Sequence, residues 1–93
     1  MSNREKHEDT LQAQLDGWNT ELENLKEKAK LAEINLQLEY YTLIDELKLE
    51  LEQANRKLEV LKGSSDEKWE ALKTDIKITW DSVEDLIKSI TLP

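Results

Sequence analysis

The chain has no cysteine, no phenylalanine, two glycines and a single proline. Without cysteine there can be no disulfide, no thiolate ligand for zinc and no thiol nucleophile. That lack also suits a reducing compartment. Aromatics make up 5% of the 93 residues and charged residues 37%, which rules out a thick globular core. One domain over residues 1–93 is the expectation. The proline is Pro93, so no ring interrupts a helix from within.

A basic patch is missing too. The net charge is −8, of which −5 falls on residues 1–62 and −3 on residues 63–93. Acidity spread this evenly attracts no phosphate backbone, so no nucleic-acid partner is expected. No apolar run approaches the roughly 20 residues that span a bilayer. The opening MSNREKHEDT lacks the apolar stretch of a signal peptide. The expectation is a soluble cytoplasmic protein.

What the chain does have is helical periodicity. Leu11, Leu15, Trp18, Leu22, Leu25, Ala29, Ala32 and Leu36 recur at steps of three and four, a heptad seam. Tyr40, Ile44, Leu47, Leu51, Ala54, Leu58 and Leu61 continue it. Three successive steps of four, from Ala32 to Ile44, form a stutter, which locally unwinds a supercoil. Leu, Glu, Lys, Gln and Ala dominate, all good helix formers. Pairs such as Glu23–Lys26 and Glu27–Lys30 sit one turn apart and add a little more. Gly17 costs about 1 kcal/mol relative to Ala. Asp16–Gly17 with Thr20-x-x-Glu23 offers a turn and a restart. Because Leu11 and Leu15 stay in phase with Trp18, a continuous helix is expected.

The stretch VLKGSSDEKW stops that helix. Gly63 suits a left-handed position after the last turn, and Ser64-x-x-Glu67 reads as a capping box for a new helix. The second stripe is Trp69, Leu72, Ile76, Trp80, Val83, Ile87 and Ile90. Folded back, it places Trp69 opposite Leu58, Leu72 opposite Ala54, Ile76 opposite Leu51 and Trp80 opposite Leu47. Val83 then faces Ile44, Ile87 faces Tyr40 and Ile90 faces Leu36. The predicted fold is all-α. It is a helical hairpin with a long helix over about 3–62, a turn at 63–65 and a shorter antiparallel helix over 65–91.

Such a hairpin leaves half of its long arm bare. An apolar seam of that length calls for a partner. The predicted partner is a second copy, in an antiparallel coiled-coil dimer with three-helix ends. Its self-association interface is Leu11, Leu15, Trp18, Leu22, Leu25, Ala29, Ala32, Leu36 and Tyr40, with Leu15 meeting Leu61 and Leu22 meeting Ala54. A parallel assembly competes with it. So do a helix of another protein lying along Leu11–Leu36 and a lipid surface. A membrane is disfavoured because Asp75, Asp81, Glu84 and Asp85 make the polar side of the second helix acidic.

Chemistry is sparse. His7, the single histidine, stands beside Glu8 and Asp9, but neighbours in a helix do not face each other. Most other carboxylates sit at helical spacing from lysines. There is no Gly-rich phosphate loop, no Ser/His/Asp set and no H-E-x-x-H. No catalytic residue, no metal site and no cofactor is predicted, and the expected function is structural or protein-binding.

Leu15 with Trp18, Leu38 to Tyr41, Trp69 to Lys73 and Trp80 to Ile87 read L-x-x-W, L-E-Y-Y, W-E-A-L-K and W-D-S-V-E-D-L-I. In these motifs the chain resembles a family of small bacterial coiled-coil proteins of unknown function. The resemblance implies a helical coiled coil with no known enzymatic activity. Gly17 departs from it, since a helix-favouring residue is expected there.

Overall fold

The computed structural model describes residues 3–91; Met1, Ser2, Leu92 and Pro93 lie outside the described residues. The described chain is all-helical and has three helices: α1 (Asn3–Leu31), α2 (Ile34–Lys62) and α3 (Asp66–Thr91). The predicted long helix is therefore two helices. It ends at Leu31, and Glu33 turns the chain with an extended backbone, φ −62° and ψ 152°. One helix over residues 3–62 would be about 90 Å long. The described chain instead measures 50 × 20 × 20 Å, a size that fits three helices of about 40 Å each lying side by side.

The break follows from the seam. A helix this rich in leucine is stabilised mainly by burying its apolar face. Folding α1 back onto α2 and α3 does this within one chain. Leu11, Leu15, Leu22, Leu25 and Ala29 are buried, and so are Ile44, Leu47, Leu51, Ala54, Leu58 and Leu61 of α2. From α3 come Trp69, Ile76, Trp80 and Val83. Trp18, Tyr40, Leu72, Ile87 and Ile90 are half-buried against this core, as are Leu43 and Leu86, which the stripes omitted. The face expected to lie bare is covered by the chain's own α2 and α3. Leu22 lies beside Leu51 of the same molecule rather than opposite Ala54 of another.

The turns also differ in detail. α1 runs through Gly17 without a break. Gly63 is not left-handed: it has φ −90° and ψ 0°, and no glycine among the described residues has positive φ. Its N–H donates to the Glu59 carbonyl at 3.2 Å, and Ser64 N–H to Leu61 at 3.2 Å, so the last turn of α2 closes with ordinary dihedrals. The predicted capping box does not form: the N-cap moves by one residue to Ser65, which puts Lys68 rather than Glu67 at the third helical position. Ser64 Oγ donates back to the Leu61 carbonyl at 2.7 Å, while Ser65 accepts the Lys68 N–H at 3.4 Å as N-cap of α3. Asp66 and Glu67 then favour the positive end of the α3 dipole.

Candidate interaction surface

Two ends of the bundle differ sharply in chemistry. At one end the start of α1 meets the α2–α3 turn. Arg4 spans all three helices there. Its Nε donates to Glu8 at 3.0 Å, and Nη1 to Asp66 at 2.8 Å. Nη2 reaches the carbonyls of Leu61, Lys62 and Ser64 at 3.2, 3.2 and 2.7 Å. These carbonyls lie at and just beyond the C-terminal end of α2, where helix carbonyls lack partners and a cation is favoured. The flanking carboxylates, Glu8 foremost, raise the Arg4 pKa further. Glu8 also accepts the Trp69 indole N–H at 2.9 Å. His7 stacks edge-on against Trp69 with ring centroids 5.6 Å apart. Burial is the main reason its pKa lies below the ordinary 6.5, helped by nearby Lys73 and opposed by Glu70 and Glu8. An open depression of about 450 Å³ lies over this cluster.

The cluster ties the start of α1 to the α2–α3 turn and to Trp69. Arg4 and the Trp69 indole supply the bonds that hold α1 against the turn and α3, and the Lys73 ammonium lies 5.5 Å from the centre of the Trp69 ring. Among the described residues no group of three or more His, Asp or Glu could hold a metal ion. Trp18 and Trp80 also pair across α1 and α3, with centroids 5.7 Å apart. The Trp80 Nε1–H is buried without a hydrogen-bond partner among the described residues. Lys57 links α2 to α3 by donating to Thr79 at 2.7 Å, which accounts for a buried threonine on an apolar face. Ser82 does the same with Glu50.

The opposite end is apolar and open. Leu31 is 87% exposed, Ile34 86% and Leu38 73%, with Tyr41 and Leu36 about half exposed. Leu31 closes α1, and the others lie in the first turns of α2. Scattered exposed leucines are ordinary; a run of large ones gathered at one turn is the informative case. Charges of opposite sign flank it. Lys28 and Lys30 are in the last turn of α1, and Glu33 and Glu39 lie beside the start of α2. Ala32 is half-buried within the turn. Leu36 and Tyr40 line a shallow hollow with Leu43 and Ile90, of about 210 Å³. A smaller apolar hollow of about 170 Å³ lies between α2 and α3 at Val60, Leu72 and Ile76.

Of the residues expected to form an interface between copies, Leu11, Leu15, Leu22, Leu25 and Ala29 are thus internal. Trp18, Ala32 and Tyr40 are half-buried, and Leu36 is the most open of that set at 46% exposed. The exposed Leu31, Ile34 and Leu38 were missed because they lie opposite the seam, on a face that helical periodicity assigns to solvent. Arg4 was missed because its partners lie about 60 residues away. No helix among the described residues is long and apolar enough to cross a membrane. Comparison with family models, with curated proteins and with solved structures finds no match to the chain.

Proposed function

We propose that this chain is a non-enzymatic structural protein that works by association, and that its first partner is a second copy of itself. The observation that carries this reading is the exposure of Leu31, Ile34 and Leu38, which all lie at the α1–α2 end. A twofold contact needs a self-complementary surface. The apolar ridge supplies one.

The magnitude sets the assay. Burying three such side chains per copy gives about 9–18 kcal/mol in gross terms, against association costs of about 4–15 kcal/mol. The two ranges overlap, so sedimentation equilibrium must extend to high protein concentration. The expected result is a mass that rises toward that of a dimer with concentration. Ile34→Ser with Leu38→Ser should return it to the monomer with helicity unchanged. A wild-type monomer at every concentration would overturn the reading, as would a double variant that associates equally well.

A further inference from the structure

We infer that the Leu31–Ile34 connection is a hinge, and that two copies can exchange α1, each laying it on the α2–α3 pair of the other. This goes beyond the turn-end contact and does not require it.

Three observations carry the inference. The first is phase. If residues 3–62 were wound as one helix at about 100° per residue, every buried residue of α1 and α2 would fall on one face about 100° wide. Leu11, Leu15, Leu22, Leu25 and Ala29 share that face with Ile44, Leu47, Leu51, Ala54, Leu58 and Leu61. The surfaces that meet in the closed hairpin can therefore meet again between two opened copies running antiparallel.

The second is the connection itself. Ala32 and Glu33 are good helix formers, and neither glycine nor proline marks the turn. Glu33 stands at the N-cap of α2 with no side-chain capping bond. The bonds at the turn are modest: Ala32 N–H to the Ala29 carbonyl at 3.4 Å, and Gln37 Nε2 to the same carbonyl at 3.1 Å. In an opened helix the last carbonyls of α1 and the first amides of α2 would satisfy one another. A short connection whose residues prefer the continuous helix is the usual route to exchange between identical chains.

The third is where the polar locks lie. Arg4 bonds to residues 61–66, Trp69 to Glu8, and Lys62 to Gln12 at 2.9 Å. Each joins α1 to the segment after the hinge, so each can re-form in trans without loss. The closed and exchanged forms then differ only at the connection and in the entropy of association. Concentration decides between them. Exchange must be slow, because α1 has to leave the core before it can be traded.

The test is refolding from denaturant at low and at high protein concentration, followed by dilution and size measurement with light scattering. The expected result is a dimer formed only at high concentration that persists after dilution. A mass-tagged chain should enter mixed dimers when co-refolded with the untagged chain and not when folded chains are simply mixed. Glu33→Pro provides the discriminating variant. The φ of −62° at Glu33 admits proline in the closed form, whereas proline inside a continuous helix costs about 3 kcal/mol, a population about a hundredfold lower per copy at 1.4 kcal/mol per tenfold. Its monomer should fold and its persistent dimer should vanish, while Glu33→Ala keeps that dimer. Should Glu33→Pro not fold, the pair Ala32→Gly and Glu33→Gly should lower the dimer more than tenfold. A chain that refolds only to monomer at high concentration overturns the inference. So does a persistent dimer indifferent to proline or paired glycine, or mixed dimers that form at once. A rapidly reversible dimer lost in Ile34→Ser with Leu38→Ser supports the turn-end contact alone and counts against exchange.

Discussion

Leu15→Ala separates a closed bundle from a hairpin with a bare arm. Leu15 sits midway along the α1 seam at 1% exposure. In the bundle, truncating it removes three buried carbons and leaves a cavity between α1 and its neighbours. Substitutions of this kind cost about 2–5 kcal/mol. Leu15 is fully enclosed but lies in a slender three-helix core that can partly collapse, so about 3 kcal/mol is the expected loss. Urea unfolding of a domain this small has a slope of about 1 kcal/mol/M. The midpoint should therefore fall by roughly 2–3 M, a large part of the total stability of about 5–15 kcal/mol for a typical domain. The assay is urea unfolding followed by tryptophan fluorescence, at a concentration where sedimentation shows a monomer. Trp18 reports from α1 and Trp69 and Trp80 from α3. A single transition shared by fluorescence and far-ultraviolet circular dichroism is part of the expectation. If α1 were a free arm in the monomer, alanine would leave the midpoint unchanged or raise it slightly through its helix propensity. That result would refute the packing of α1 against the rest of the chain.

The glycines and the histidine give further tests. Gly17 is exposed within α1, with nothing within 4 Å of an added Cβ, so Gly17→Ala should stabilise the fold by about 0.5–1 kcal/mol in urea unfolding. Gly63→Ala should be tolerated as well, since its φ is −90° and the added carbon meets only carbonyls at 3.7 and 3.9 Å; a loss of 1 kcal/mol or more would indicate a left-handed turn instead. His7 has its pKa lowered on folding, so near and below 6.5 the unfolded chain takes up the proton first. Stability from this group is intact above that range and is lost as pH falls through it, levelling off below the folded pKa. His7→Gln should flatten that part of a stability–pH curve; an unchanged slope would show that His7 is not desolvated against Trp69.

How much of this was legible can be argued residue by residue. Helix was written in the spacing of Leu11 to Leu61 and Trp69 to Ile90, and the stop and start around Gly63 and Ser65 were readable to within a residue. The break at Ala32–Glu33 was not, because those residues carry helix-favouring chemistry. Its only trace was the stutter from Ala32 to Ile44, where the heptad phase slips. Local propensity and periodicity describe a helix one segment at a time. Whether a long seam is closed by its own chain or by another depends on the concentration of the covering surface, and no residue encodes that.

That ambiguity is physical. A tethered α1 is offered to α2 and α3 at an effective concentration set by a two-residue connection, on the order of millimolar or above. A second copy can compete only when it is comparably abundant or when the connection resists bending. Ala32 and Glu33 resist it through helix propensity alone, at a few tenths of a kcal/mol each, which is too little to keep the monomer open. The core contacts are common to both forms, so the tether decides only whether they close within one chain or between two. Lengthening the connection with a flexible insert should therefore leave the closed bundle nearly as stable, since each doubling of loop length costs only about 0.6 kcal/mol. A Gly-Ser insert between Ala32 and Glu33 should shift the urea midpoint by less than 1 M at about 1 kcal/mol/M while breaking the continuous-helix alternative. A larger loss would mean that the connection supplies packing of its own, through Ala32 and the Gln37–Ala29 bond, rather than serving as a tether.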